Sequence, residues 1–385
     1  MKGAKKRTWL WLFALTALLV FPMSGWASDG TVTFGAVAPL SGTNVMVGDF
    51  VRNGILLAQK HINESGGILG KELKVVFEDE VDNLQASVNA MTKIMNHPDV
   101  VAFFGSTYSA FCIGASPIVL QNKITMFAGG SSANIPKENN PYVWQVRMTD
   151  DQSGLLMAKA ANGVIGMKNP AILHIADSFG TGLMTQTVSA LKTLGIEVPE
   201  KNIYAHNPDE KQFSPILTQI INSDADGLIG ISHQMPAAVI CMQAQAAGFD
   251  IPLLGSSSFN SVVCRETAKE AADGWLAVAD WTPDVSTPEG KAFADAYRAA
   301  YQIDSDMPAV TAYDSLMVFA EACKIANTTT DREAINNALS KVKAYKGAMS
   351  TYSYNDNHCF STSQFLTLNE KGRASLKEVV YTREP

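Results

Sequence analysis

The sequence has few cysteines, and their spacing does not build a scaffold. Five are present among 385 residues. No CxxC pair occurs, and an odd number leaves at least one thiol free. A dense disulfide framework is therefore not expected. We interpret Cys112 and Cys241 as small buried apolar residues, because each lies in an apolar helical pattern. A pair between Cys323 and Cys359 stays open, since spacing alone does not decide it.

The sequence also lacks the common motifs of metal binding and catalysis. Its six histidines form neither HxH nor HExxH, so no metal site is predicted. Residues 65–72 only superficially resemble a phosphate-binding loop, because Glu72 stands where Ser or Thr would follow the lysine. No GxSxG nucleophile elbow occurs, and no base for a nucleophile is suggested. We predict that the protein is not an enzyme and has no cofactor.

Long apolar runs are absent apart from one near the start. Residues 9–21 are apolar but too few to span a membrane. Four basic residues precede them, and Gly25 and Ala27 are small residues at the two cleavage positions of a signal peptide. We therefore predict that residues 1–27 are a signal peptide, cut after Ala27, and that the mature protein is periplasmic.

Positive charge is scarce in the predicted mature chain. The whole sequence has 30 basic and 37 acidic side chains, and the signal peptide contains four of the basic ones and no acidic one. The mature net charge is then −11, which makes nucleic acid or anionic lipid a poor candidate partner. The length favours two lobes rather than one. We expect a monomer.

Two neighbouring strand-to-loop crossings carry hydroxyl groups. The apolar runs Val100–Phe104 and 124–127 are predicted to be buried parallel strands, each leading into small and polar residues. The candidate ligand contacts in the two loops are Tyr108, Ser109, Gly130, Ser131 and Ser132. Ligands bind at this edge of an open α/β sheet, and a helix N-terminus favours a carboxylate. Either Ser alone is as readily a helix cap, but two adjacent loops favour a site.

Strands alternate with helices on both sides of residue 149, which predicts βαβ units and mostly parallel sheets. Helices then follow one another between residues 289 and 341, which indicates packing against the first sheet. We predict an α/β protein of two lobes, each a mostly parallel sheet flanked by helices, joined by a three-segment hinge. The first lobe is residues 28–149 and 282–350, and the second is residues 150–281 and 351–385.

Several stretches, in this order, resemble one family. They are GAVAPLSG at 35–42, NESGGILGKEL at 63–73, FFGSTYS at 103–109, IADSFGTG at 175–182 and GFDIPLLGSSSF at 248–259. The sequence is similar to the periplasmic solute-binding proteins of ABC importers, of the leucine/isoleucine/valine-binding type. That resemblance implies a two-lobed periplasmic-binding-protein fold. It also implies capture of a small carboxylate solute, such as an amino acid, and its delivery to an ABC permease.

The resemblance further implies which residues face the ligand. Ser109 matches a hydroxyl that follows the third strand. Gly130 and Ser132 match a loop whose backbone and hydroxyl hold the ligand carboxylate. Phe179 and His233 fall at aromatic positions on the opposing lobe, and His233 is either an uncharged wall residue or a donor to a second carboxylate.

Ser257 departs from the family pattern, because it falls where amino-acid binders carry Glu. A buried ammonium needs an anionic or strong acceptor partner. The ligand is then an aromatic or short organic acid without an α-amine, or an amino acid whose ammonium is met by Asp177 or Asp280. A helix or turn cap is the favoured role for Asp177. A sensory receptor of the same fold, or less readily an exported amidase or esterase, are the other functions left open.

Overall fold

A computed structural model describes residues 30–135, 139–285, 287–353 and 363–381. The predicted signal peptide and Cys359 lie outside these residues, so cleavage after Ala27 and a Cys323–Cys359 pair stay predictions. The strands are β1 Thr31–Ala38, β2 Glu72–Asp79, β3 Val100–Phe104, β4 Thr125–Ala128, β5 Val143–Gln145, β6 Ala171–Ile175, β7 Ile203–His206, β8 Leu228–Ile231, β9 Leu253–Gly255, β10 Leu276–Ala279, β11 Tyr345–Lys346, β12 Thr351–Tyr352, β13 Ser363–Glu370 and β14 Arg373–Tyr381. The helices are α1 Val45–Glu64, α2 Leu84–Met95, α3 Ser109–Asn122, α4 Asp150–Lys159, α5 Ser178–Thr193, α6 Ser214–Ile221, α7 Gln234–Ala246, α8 Val262–Ala268, α9 Pro288–Tyr301, α10 Met307–Ala326 and α11 Arg332–Leu339.

The first sheet is entirely parallel, with the order β2-β1-β3-β4-β5. Strands β3 and β4 are buried along their whole length, which explains their unbroken apolar sequences. Helix α10, far along the chain, packs on this sheet, and the rings of Phe34 and Phe319 lie 5.0 Å apart. The run of helices after residue 288 therefore completes the core of a sheet formed by the first third of the chain.

The second sheet has the order β14-β13-β10-β9-β8-β6-β7. Strands β6 to β10 pair in parallel, while β13 and β14 add an antiparallel edge. One of its cores contains Phe259 stacked on Trp275, with ring centroids 4.4 Å apart. The predicted fold class, two mostly parallel sheets flanked by helices, is confirmed, whereas the lobe boundaries given above stay predictions.

Three local predictions were incomplete. The spacing of apolar residues predicts a helix at residues 49–63, whereas helix α1 begins four residues earlier, at Val45. The sequence pattern predicts a helix at residues 155–164, whereas helix α4 begins at Asp150 and continues as a π-helical turn at Ala160–Ile165. Helix α8 was not predicted at all, because its two valines favour a strand. It forms because the Ser261 hydroxyl caps it by accepting a hydrogen bond from the Cys264 N–H, at 3.0 Å. Among the described residues, no helix combines the length and apolar character that a membrane crossing requires.

Candidate functional site

The candidate site lies where the carboxyl ends of the two sheets face each other. A small, enclosed cavity there has walls from both lobes. Its residues around the first sheet are Thr107, Tyr108, Ser109, Ser131 and Arg147, and those around the second are Phe179, His233, Gln234, Ser257 and Ser258. A second, deeper cavity shares Arg147 and Ser257 and continues to Asp150 and Asp280. Larger depressions elsewhere on the surface are more open, and neither hydroxyl loop lines them.

The two hydroxyl loops of the first sheet are packed directly on each other. The Ser109 Oγ accepts a hydrogen bond from the Ser132 N–H at 3.1 Å. Gly130 is needed for this approach, because a Cβ there would lie 2.7 Å from the Ser109 Cα. The Ser132 hydroxyl is fully buried and donates to the Ser178 carbonyl of the opposing lobe at 3.3 Å. Gly130 and Ser132 therefore lie behind the residues that line the cavity, where they keep the two loops and the second lobe in contact.

Buried polar atoms without a hydrogen-bond partner are concentrated around these cavities. Within the described residues they include the Thr107 Oγ1, the Tyr108 hydroxyl, the Ser131 Oγ and the Gln145 Oε1. A buried donor or acceptor left unpaired costs about 1–3 kcal/mol. Such atoms in a native cavity are commonly the ones that meet a ligand or water. The cluster thus provides hydroxyl donors beside the N-terminus of α3, which suits an acid group.

Aromatic rings close the opposite side of the cavity. The ring of His233 stacks on Phe179 at 5.3 Å and meets Tyr108 edge-on at 5.1 Å. Its Nε2 lies 2.7 Å from the Asp177 Oδ2. Asp177 also caps α5 by accepting from the Gly180 N–H at 2.8 Å, so the expected cap role is present. Burial alone would raise the pKa of Asp177, but these hydrogen bonds hold it below its ordinary value.

A buried ion pair lies at the deep end of the site. Arg147 follows β5 and Asp280 follows β10, and their side chains are 6% and 3% exposed. The same guanidinium lies 3.4 Å from the Ser257 hydroxyl. Both Asp280 and Asp177 are thus engaged by side chains of this protein. Neither of the two acids suggested from the sequence is placed as an open acceptor for a ligand ammonium.

A different carboxyl group, Asp150, also lines the deeper cavity. It is the first residue of α4 and is fully buried, and neither of its oxygens makes a well-formed hydrogen bond to a described residue, although the Ser131 hydroxyl lies close enough to lower its pKa. Burial raises the pKa of Asp150 to about 7, and the nearby Ser131 hydroxyl and Arg147 guanidinium offset this only in part. A buried carboxyl group of this kind favours a neighbouring cation when it is ionised.

Glu80 is hydrogen-bonded to the first hydroxyl loop through Ser106. It is fully buried, and its carboxyl oxygens accept hydrogen bonds from Ser87 at 2.9 Å and Ser106 at 3.2 Å. The Ser106 Oγ in turn accepts from the Tyr108 N–H at 3.0 Å. Burial raises the pKa of Glu80 to about 8, so this group is largely protonated at neutral pH.

The structure brings six of the eight predicted site residues to the lining of one cavity. These are Tyr108, Ser109, Ser131, Phe179, His233 and Ser257. Sequence analysis missed Arg147 and Asp150, although a charged residue at the end of a buried strand could have indicated them. In the described part of the chain, no group of three His, Cys, Asp or Glu side chains is arranged to hold a metal ion.

Comparisons with known proteins agree with this architecture. The family described as "Periplasmic binding protein" matches residues 31–373. The chain is 25% identical to the Leu/Ile/Val-binding protein BraC3 of Rhizobium johnstonii over 358 residues, which are 92% of this chain and 96% of that one. It is similar in fold to LivJ of Streptococcus pneumoniae, solved with isoleucine, with a TM-score of 0.84, 23% identity, and 91% and 100% of the two chains covered. A solute-binding protein of R. palustris, solved with benzoate, has a TM-score of 0.83, 19% identity, and 91% and 96% coverage.

Proposed function

Because the chain belongs to the periplasmic binding protein family, we propose that it captures a small carboxylate solute between its lobes and delivers it to the permease of an ABC importer. It acts in the periplasm as a monomer, has no nucleic-acid partner, and releases its ligand chemically unchanged. The observation that carries this proposal is the cluster of buried, unpaired hydroxyl groups facing one cavity between two lobes. Closure around a ligand gives these groups partners without exposing them to bulk water.

The carboxylate end of the ligand lies against the first lobe. The hydroxyl groups of Thr107 and Tyr108 are buried and have no hydrogen-bond partner among the described residues, and Ser109 begins helix α3. Hydroxyl donors and helix N–H groups are a favourable setting for an anion, because the helix dipole places partial positive charge there. The cavity also has an aromatic wall on the second lobe, formed by Phe179 and His233.

We propose an α-amino acid as the ligand class, with Asp150 as the partner of its ammonium group. Ionised Asp150 and Asp280 beside one Arg147 leave a net negative charge in a buried region. An ammonium group neutralises that charge, which offsets the cost of burying it. Asp150 thus takes the role that Ser257, with only a hydroxyl, does not fill. The amino-acid names of the relatives support the same class.

Thermal shift and calorimetry test the capture of a carboxylate. The common L-amino acids, each compared with its analogue lacking the amine, and benzoate are the probes. A ligand that binds the folded protein adds RT ln(1 + [L]/Kd) to the free energy of unfolding and so raises the melting temperature. No shift with any probe would contradict carboxylate capture. Mass spectrometry of the recovered ligand checks the absence of chemistry, since turnover would instead support an exported amidase or esterase.

The Asp150→Asn variant tests the ligand class, with the exposed neighbour Asp151→Asn as its control. We expect Asp150→Asn to lose about 10–100-fold affinity for the bound amino acid, since a buried charged hydrogen bond is lost. Calorimetry at pH 6 in two buffers should show release of close to one proton on binding, because the carboxyl with a pKa of about 7 ionises. Asp150→Asn should abolish that release. Equal binding of analogues without an amine would overturn the assignment of an amino acid as the ligand, but not the capture of a carboxylate.

An organic acid without an amine is the second candidate. Ser257 favours it, because its hydroxyl faces Arg147 and supplies no negative charge. The R. palustris protein was solved with benzoate, which supports including organic acids of this class in the same screen. Stabilisation by benzoate or a short organic acid, with none by amino acids, would select it. A sensory role is separated from transport by whether the closed protein binds a permease or a receptor.

A further inference from the structure

Two thiols of the second lobe meet in its core. Cys241 lies in α7 and Cys264 in α8, and their Sγ atoms are 4.0 Å apart. Both residues are fully buried. The described cysteines around the first sheet are placed differently, since the Cys112 thiol donates to the Ser106 carbonyl at 3.2 Å. The Cys241–Cys264 contact was not expected from the sequence, which indicated only a small apolar role for Cys241.

We propose that Cys241 and Cys264 form a disulfide bond in the exported protein. A disulfide needs sulfurs about 2.05 Å apart, so each Sγ moves by roughly 1 Å, which a modest rotation about Cα–Cβ supplies. The thiols lose two protons and two electrons as the S–S bond forms. The acceptor is the disulfide of an exported thiol oxidase, which is reduced to a dithiol. This inference rests on the proposed export, because the cytosol keeps thiols reduced.

The burial of the pair sets when the bond forms. The thiolate is the reactive species, and burial raises the pKa of the Cys241 thiol well above its ordinary value. Attack on an oxidant after folding is therefore slow. Oxidation belongs to the stage before the helices pack, while the chain emerges from the export channel. Once the protein has folded, burial also shields the bond from reductants.

The bond joins two segments that carry the ligand-facing wall of the second lobe. Helix α7 begins directly after His233, and helix α8 follows the turn at Ser257–Asn260. Both His233 and Ser257 line the cavity. A covalent link between the two helices holds these residues at a fixed separation while the lobes open and close. The disulfide therefore stabilises one wall of the site without touching the ligand.

Peptide mapping tests the bond directly. Trypsin has no site between residues 212 and 265, so one peptide contains Cys241 and Cys264 and no other cysteine. Protein from the periplasm is alkylated while denatured, without reductant, and then digested. We expect this peptide to carry no alkyl group until it is reduced, and then two. A peptide alkylated twice before reduction overturns the proposal. The intact mass shows separately whether residues 1–27 were removed, so a failure of export is not confused with a failure of the bond.

Thermal unfolding provides a second readout. Reduction under denaturing conditions followed by refolding should lower the melting temperature by ~5–10 °C, because the unfolded chain regains conformational entropy. The Cys241→Ser variant should show no such dependence on reduction. Cys323→Ser is the matched control and should keep it. If Cys323→Ser removes the dependence and Cys241→Ser does not, a different pair is responsible and the proposal is wrong.

Discussion

The ring of Tyr108 in the first lobe meets the ring of His233 in the second edge-on, with centroids 5.1 Å apart. Tyr108 follows a strand of one sheet, and His233 follows a strand of the other. The lobes therefore meet through residues that also line the candidate ligand cavity. If the proposed ligand binds in this cavity, closure and ligand contact involve the same side chains, which is the expected arrangement for a clamp.

Tyr108→Phe should weaken ligand binding without weakening the fold. The Tyr108 hydroxyl is buried and has no partner among the described residues, so removing it costs the unliganded protein nothing and can stabilise it. The ring contact with His233 is retained. We expect an affinity for the best carboxylate from the screen that is about tenfold lower, with an unchanged or higher melting temperature. Calorimetry and thermal unfolding check both values. A lower melting temperature with unaltered affinity would show that the hydroxyl is structural.

Gly130→Ala should disrupt the two hydroxyl loops. The added Cβ would lie 2.7 Å from the Ser109 Cα and 2.9 Å from its N. These are backbone atoms, which cannot move away without distorting the loop. We expect a loss of 1–3 kcal/mol in unfolding free energy, as is typical of overpacking, together with weaker binding. Gly163→Ala is the control, because nothing lies within 4 Å of its Cβ position. Denaturant titration that finds equal stability for the two variants would contradict the close approach.

Replacing either Arg147 or Asp280 alone should lower the free energy of unfolding. Arg147→Met leaves the buried Asp280 carboxylate without its guanidinium partner, and we expect about 3–5 kcal/mol lower unfolding free energy. Asp280→Leu leaves the buried cation and should cost a similar amount. The double variant should lose much less than the two single losses together, since an apolar pair restores packing. Strictly additive losses in denaturant titrations would show that the pair is not coupled.

Stability should fall as the pH rises from about 5 to 8, in part through Glu80. Burial raises the pKa of this carboxyl from 4.5 to about 8, so over that interval the folded protein holds a proton that the unfolded chain releases. The contribution of Glu80 to the free energy of unfolding is complete below pH 4.5 and is lost as the pH approaches 8. Glu80→Gln keeps an uncharged group of the same shape and should flatten the slope by up to about 1.4 kcal/mol per pH unit. Equal slopes for the two proteins would show that Glu80 is ionised in the folded state.

The sequence predicted the features that depend on local pattern. The apolar runs of β3 and β4, and the hydroxyl residues after them, lie as expected. Helix α8 was missed because a short helix with three β-branched residues depends on its Ser261 cap and on tertiary packing.

The missed parts of the site depend on contacts between distant positions. Arg147 and Asp280 are 133 residues apart, and no periodicity reveals their pairing. Gly130 and Ser132 stay predicted ligand contacts, and local sequence does not show that they also pack against Ser109 and Ser178. Asp150 lies ahead of the helix that the sequence predicted from residue 155, and its complete burial, which marks it as unusual, is not visible in the sequence.

The position of helix α10 has a consequence for biosynthesis. Its residues, such as Leu316 and Phe319, share one core with Phe34 and Phe127, although the whole second sheet except its edge strands lies between them in the sequence. A nascent chain that stops short of residue 319 cannot finish the hydrophobic core of its own first lobe. The polypeptide therefore stays incompletely folded until most of it has been translated, which is the state that the proposed export through a translocation channel requires.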